Sequence, residues 1–468
     1  MSQLKRLPWQ LHVVADPDTK GKLKIVTNTF VLSDLTEDDL NMSVSPFIGV
    51  TGQVEVHVHD SVGPEDYRKH IWLKLSDLFN LQRRATAFLT PSHPALKMYW
   101  YNISSRRLKY DVRGLIDAAK GLPVLFCGAG PSLEKQLPQI KYIVENNLAF
   151  VVTGGTGMKL LCDSGIKPHL ALALDPFPQE AERFSGLSAE WQAHVPLLAS
   201  ASLYYECYRG WKGRLIAAEG LSCAELGSFI EGEGLLHISE GTVGVLTWLV
   251  NLMPTLGSDT LMLSGVDLCF GDQGETYAKN LDLTCSLYSA VRSDCGRKTK
   301  SNWLQEARYI GDAAAQHGFK VYNFSKGLAI PNSERASIYD ETLFTRVAVP
   351  KIRFQKWTKA KYKFIQTQLD LFENELQQLR SSLHEEDLSS FPAYKLFLKQ
   401  YMDVQEYQYW RSGIFNYSLL REILDVNASY IRQISYFKQP FSALEDFGPC
   451  GSPPLPRERQ TTRTGATA

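Results

Sequence analysis

Pro123-Val-Leu-Phe-Cys-Gly-Ala-Gly-Pro-Ser-Leu133 decides how the chain is read. Pro123 to Cys127 is a short apolar run between Gly121 and Gly128, the mark of a buried strand. Gly128-Ala-Gly130 follows directly. Pro131-Ser132 then opens a helical periodicity through Leu133, Leu137, Ile140, Ile143 and Val144. Proline suits a first helical position, because its φ is pre-set and the N–H it lacks would go unpaired there. Gly128 and Gly130 permit a close backbone approach that a Cβ would block. A strand, a bare turn and a helix N-terminus aim N–H groups and a positive dipole end at one point, which suits a phosphate. Gly128, Gly130 and Ser132 are therefore candidate phosphate contacts. A tight turn without a ligand would read the same way, since a short glycine-rich turn is a weak motif.

Around this unit, residues 106–335 alternate strand and helix. Buried strands are expected at Ala149–Thr153, Leu170–Leu174, Val195–Ser200, Arg214–Ala218, Thr260–Ser264 and Lys320–Phe324, with helices between them. Continuous apolar strands separated by helices indicate a mostly parallel sheet covered on both faces, an α/β core of the Rossmann-like kind. Gly128, Gly130 and Ser132, Thr153 and Gly154, Asp175, Asp267 and Asn323 all fall just past strand ends. In an open α/β sheet these ends share one edge, and the ligand crevice lies there. Gly, Ser and Asp are also turn residues, so turn chemistry alone competes with this reading. No P-loop Lys-Ser pair follows the glycines, no Gly-x-Ser-x-Gly elbow occurs, and the third glycine of a dinucleotide fingerprint is missing.

Residues 1–105 read as a β-rich region, with strands at Leu11–Val14, Leu23–Val26 and Val54–Val58. His57 and His59 share a strand face, but with no third ligand nearby an exposed pair is favoured over a metal site. Met98-Tyr-Trp-Tyr101 reads as a packing surface. Residues 345–438 read as all-helical. Ile365, Leu369, Phe372, Leu376, Leu379 and Leu383 make an apolar seam that could pack on the sheet or join two copies into a homo-oligomer. Residues 439–468, rich in Gly, Pro, Ser, Thr and Arg, read as a disordered tail.

Lys+Arg and Asp+Glu are both 50, so the formal net charge is zero. Nothing in that balance favours nucleic acid as a partner. Arg297-Lys-Thr-Lys300 reads as a solvated loop. The 8 cysteines show no metal spacing, no run is long enough for a membrane span, and no signal peptide is evident. The expected setting is cytoplasmic.

Several landmarks of the central segment point further: Gly121–Leu133, Gly165-Ile-Lys-Pro-His169 leading to Asp175-Pro176, Gly241-Thr-Val243, and Leu263-Ser-Gly-Val-Asp-Leu268 with Tyr277-Ala278. In this order they resemble the domain shared by motility accessory factor (Maf) flagellin glycosyltransferases and MptE-like 6-hydroxymethylpterin diphosphokinases, over roughly residues 106–330. The resemblance implies a bacterial, nucleotide-dependent transferase with a core related to bacterial sialyltransferases. By position it implies that Gly128, Gly130, Pro131 and Ser132 cradle phosphate, beside Thr153 and Gly154. It implies a second helix-N-terminal contact at Gly241 and Thr242, with Asp175 and Asp267 as the catalytic carboxylates lining the crevice.

The donor would be a nucleotide-activated nonulosonic sugar in the Maf branch, with a protein hydroxyl as acceptor. In the pterin branch it would be ATP, with a pterin acceptor and Mg²⁺. Pterin enzymes carry Asp-Leu-Asp-Gly and His-Ala-His-Gly-Asp-Asn segments. Here the first reads Ala173-Leu-Asp-Pro176 and the second is absent. A diphosphokinase needs carboxylates to hold Mg²⁺ between phosphates, and a single Asp at that strand end tilts the reading to glycosyl transfer without a metal. A non-catalytic nucleotide-binding scaffold stands as a third reading.

Overall fold

The computed structural model describes residues 9–14, 28–31, 54–65, 67–68, 71–72, 94–105, 107–218, 230–232, 244–272, 274–278, 290–292, 296–344 and 351–382. Strands β1 (Trp9–Val14), β2 (Asn28–Val31) and β3 (Val54–Val58) form a small sheet, β2-β1-β3, with both pairings parallel. The expected strand at 23–26 lies outside the described residues. Met98–Tyr101 sits on helix α1 (Pro94–Ser104), where Tyr99 and Trp100 are fully buried.

The core begins with β4 (Tyr110–Asp111), β5 (Val124–Cys127), α2 (Leu137–Glu145), β6 (Phe150–Gly154), α3 (Gly157–Asp163) and β7 (Leu170–Ala173). It continues through α4 (Glu180–Ser185), α5 (Ala189–His194), β8 (Leu197–Ser200), α6 (Tyr205–Gly210) and β9 (Leu215–Ala218). Then come α7 (Val245–Leu256), β10 (Thr260–Ser264), the hairpin β11 (Ala290–Arg292) and β12 (Lys298–Lys300), α8 (Ser301–His317), β13 (Lys320–Asn323) and β14 (Ser333–Arg335). Nine strands make one sheet in the order β14-β13-β10-β5-β6-β7-β8-β9-β4, and every pairing in it is parallel. The α/β reading holds.

Every residue of β5, β6, β7, β8 and β9 is buried, as helices on both faces require. Val124, Phe126, Val152, Leu261 and Leu263 pack with Trp248, Leu249 and Leu252 of α7 and Ile310 of α8. Leu125, Val151 and Met262 face the other way, against Ile140 and Ile143 of α2, Leu160 of α3 and Trp191 of α5. From β5 to β9 the chain steps in one direction across the sheet. It then returns to place β10 on the other side of β5. That reversal is the switch point at which open parallel sheets leave a crevice.

The helix after β5 begins later than Pro131. Leu133 N–H donates to Gly130 O at 3.0 Å, Glu134–Gln136 form a single 3₁₀ turn, and the α-helix starts at Leu137 with Pro138 in its first turn. Pro138 supplies the start that Pro131 was expected to give. Pro131-Ser132 instead belongs to the turn, because Ser132 is tied to Asp267 across the sheet.

Beyond β14 the chain runs back along the far edge of the sheet. Asp111 N–H donates to Gln355 O at 2.8 Å, Arg353 N–H to Gly114 O at 2.9 Å, and Trp357 N–H to Lys109 O at 3.0 Å. A Cβ on Gly114 would lie 1.9 Å from Arg353 O, so only glycine lets this strip approach. Helix α9 (Lys359–Ser382) follows, as the seam predicted, and its Phe372 ring meets Trp100 of α1 at 5.3 Å. Asn102 of α1 donates to Ala201 O at 2.8 Å and to Leu203 O at 2.6 Å. α1 and α9 therefore cover one flank of the sheet together, although by sequence they fall in the N- and C-terminal regions. The seam beyond residue 382, the Tyr-rich helices and the tail lie outside the described residues.

Candidate functional site

Parallel pairing sends the C-terminal ends of β10, β5, β6 and β7 to one edge, so Asp267, Gly128–Ser132, Thr153–Gly157 and Asp175 share a rim. Asp267 and the Gly128–Ser132 turn touch. Ser132 donates to Asp267 Oδ2 from its N–H at 3.0 Å and from its Oγ at 2.9 Å. A Cβ on Gly130 would lie 2.3 Å from that same oxygen, and one on Gly128 would lie 2.4 Å from Gly265 O. The glycines thus admit the neighbouring strand's backbone and its carboxylate.

The turn's donors are largely committed. Gly128 N–H donates to Ser264 O at 2.8 Å and Gly130 N–H to Gly265 O at 2.7 Å. Pro131 has no N–H. Asp267 is buried, and burial raises its carboxyl above the ordinary range. The two Ser132 hydrogen bonds and the charge of Arg297 pull the other way. Ser325 Oγ joins this network, accepting from Val266 N–H at 2.8 Å and lying 3.3 Å from Ser132 Oγ. The side-chain nitrogen of Asn323, at the end of β13, is buried and unpartnered, while its Oδ1 accepts from Ser325 N–H at 2.9 Å.

The next turn is more open. Thr153 is buried and its Oγ1 donates to Cys127 O at 2.9 Å. Gly154 leaves room for Val245 and Leu172, which a Cβ would strike at 2.2 Å and 2.8 Å. Both residues therefore serve packing. Gly155 follows at φ +53°, with nothing within 4 Å of where a Cβ would sit. Among the described residues, the N–H groups of Gly155, Thr156 and Gly157 make no hydrogen bond. Ala129 N–H, in the first turn, likewise makes none among the described residues.

Asp175 lies two strands from the switch point, half-exposed, with its carbonyl accepting from Tyr204 N–H at 2.9 Å. Arg183 Nη1 reaches Asp175 Oδ2 at 2.6 Å and Glu180 Oε2 at 2.5 Å. Glu180 is 2% exposed; burial is the largest influence on its carboxyl and raises it to about 7. Gly241 and Thr242 lie outside the described residues.

Arg297–Lys300 is placed differently from the solvated loop expected of it. Lys298 O accepts from Phe270 N–H at 2.8 Å, and Thr299 Oγ1 donates to Leu268 O at 2.6 Å. The hairpin is thereby sewn to the segment that carries Asp267. Arg297 pairs with Asp272 at 2.8 Å, and Lys300 Nζ lies 4.6 Å from the centre of the Trp303 ring. Sequence reasoning passed over Glu180 and Arg183. An Arg three residues after a Glu, just past Asp175-Pro176, was a usable signal for both.

Residues 99–273, a little over a third of the chain, match the family described as 6-hydroxymethylpterin diphosphokinase MptE-like. That stretch is similar to the family. The match spans β4 to β10, and with them every described rim residue from Gly128 to Asp267. No curated protein matches the sequence. Among solved structures, a Maf glycosyltransferase from Magnetospirillum magneticum AMB-1 is similar at a TM-score of 0.52 and 14% identity, over 90% of this chain and 71% of that one. At that identity the likeness is one of fold. It extends on both sides of the matched stretch, in line with one flank being shared by α1 and α9.

Proposed function

We propose that the protein is a glycosyltransferase that takes a nucleotide-activated sugar of the nonulosonic, sialic-acid-like class and passes it to a hydroxyl acceptor. The observation that carries this reading is the rim at the sheet's switch point. A turn with uncommitted N–H groups, Gly155–Gly157, stands one strand from an accessible carboxylate, Asp175. The MptE-like match supports a transferase, and the fold likeness to a Maf glycosyltransferase supports the sugar branch.

Transfer from a nucleotide sugar passes through an oxocarbenium-like state while negative charge builds on the departing phosphate. Fixed N–H donors stabilise that charge without reorganising. Here Gly155, Thr156 and Gly157 supply them, with Arg297 as a cation at the other side of the crevice. Asp175 takes the proton of the acceptor hydroxyl. Gly128, Gly130 and Ser132 hold the floor of the crevice, with Asp267 locking the turn from β10.

A second reading, diphosphoryl transfer from ATP, is supported by the name of the matching family. It calls for Mg²⁺ held by free carboxylate oxygens. Of the rim carboxylates, Asp267 Oδ2 takes two hydrogen bonds from Ser132 and Asp175 Oδ2 is paired with Arg183. Among the described residues no cluster of three metal-ligating side chains occurs. One oxygen of each carboxylate is thus already engaged within the protein, which counts against the second reading.

The test is a thermal-shift panel of CMP, UDP, GDP and ATP derivatives, each with and without Mg²⁺. A shift with cytidine nucleotides that ignores Mg²⁺ is expected. A shift confined to Mg-ATP overturns the glycosyltransferase reading in favour of the second.

A further inference from the structure

One cation and two carboxylates meet at the end of β7, and the two carboxylates differ. The Asp175 side chain is 40% exposed at the rim, whereas Glu180 is sealed at 2%. Both are held by the same nitrogen, Arg183 Nη1, which is itself only partly exposed. That nitrogen carries two N–H bonds, one for each carboxylate, so where the guanidinium sits, and how it meets Asp175, depends on what Glu180 offers it.

We propose that Glu180 is a positioning residue for Asp175: acting through Arg183 it fixes the Asp175 carboxylate at the rim, and its gain or loss of a proton changes how tightly Arg183 holds Asp175. The coupling stands on this geometry. Its consequence for catalysis rests on the reading of Asp175 as the base.

The groups facing Glu180 support the assignment. From its own helix comes Arg183 and from the end of β7 comes Asp175. From α6 comes Cys207, with Glu206 beside it. The Cys207 thiol is pushed up to about 12, mainly by burial, so it stays neutral at working pH. Glu180 is raised to about 7 because burial penalises its charge and Asp175 adds repulsion, against the pull of Arg183. The proton that comes and goes near neutrality is therefore carried by the sealed carboxyl of Glu180.

Carboxyl ¹³C NMR on full-length protein labelled at Asp, titrated from about pH 5 to 9 across the Glu180 transition, tests the coupling without any ligand. The Asp175 resonance is assigned as the one lost in Asp175→Asn. It is expected to show an inflection near pH 7 that reports Glu180. Glu180→Gln keeps an oxygen acceptor for Arg183 and removes the proton equilibrium, so the inflection should vanish while the melting curve stays cooperative. An inflection that persists in Glu180→Gln, or is missing from the wild type, overturns the proposal. CMP binding at pH 6 and 8 is the second arm. If CMP and the other nucleotides fail to bind, the transferase reading falls and the carboxyl titration still decides the coupling. If they bind, the pH dependence of affinity should be smaller in Glu180→Gln than in wild type.

Discussion

Gly130 is a candidate phosphate contact whose own neighbours are protein atoms. The structure puts Asp267 Oδ2 and Gly265 O at 2.3 Å and 2.8 Å from the missing Cβ. Gly130→Ala must push the Asp267 side chain or the β10 backbone away, at a cost of about 1–3 kcal/mol typical of overpacking. Thermal or urea unfolding should show that loss in the absence of any nucleotide. Unchanged stability would mean that Asp267 moves freely and that its bonds to Ser132 count for little.

Among the elements, α9 depends on a buried lysine. Lys109 is fully buried, its Nζ donates to Ser105 O at 2.7 Å, and it lies 5.1 Å and 5.3 Å from the ring centres of Trp357 and Tyr362. Those rings favour the cation. Burial opposes it more strongly, aided by Arg107 and countered by Glu231, and brings Lys109 down to about 7. Glu231, also buried, is raised by burial and accepts from Tyr99 Oη at 2.9 Å. The unfolded chain keeps the lysine proton up to about pH 10.5 while the folded chain sheds it near 7, so between those values the unfolded state binds more protons. Stability should therefore rise with pH across that window. Melting temperatures of wild type and Lys109→Met measured through it check the sign: the rise should be present in the first and absent from the second. The strip 351–357 matters for the same flank, because it pairs with an edge that would otherwise offer open N–H and C=O groups to another chain.

For the molecule as a whole, the question is which edge of the sheet takes a ligand. A hollow of about 250 Å³, lined by Gly257, Ser258, Asp259, His317 and Gly318, opens at the opposite edge from the rim. Helices α7 and α8 end there, and helix C-termini present carbonyl oxygens, which suit a phosphate poorly. Thr156 has φ −62°, which proline adopts without strain, so Thr156→Pro deletes one N–H and little else. That variant should lose most of the nucleotide-induced thermal shift, whereas Asp259→Asn should keep it. The reverse result would move the site to the hollow.

Apolar runs such as Val124–Cys127 and Leu170–Ala173 were enough to announce a parallel sheet, because a strand buried on both faces leaves no polar position in its own residues. The order of loops and helices then set which strand tips share an edge, and that local information lies along the chain. Partners distant in sequence were not legible. That Ser132 would be bound by Asp267, Arg297 drawn to the segment carrying Asp267 and 351–357 laid beside β4 depends on close packing among segments tens to hundreds of residues apart. A turn's N–H groups look the same in sequence whether they are spent on a neighbouring strand or left for a ligand; only the folded arrangement of β5, β6 and β10 separates the committed Gly128–Ser132 turn from the open one at Gly155–Gly157.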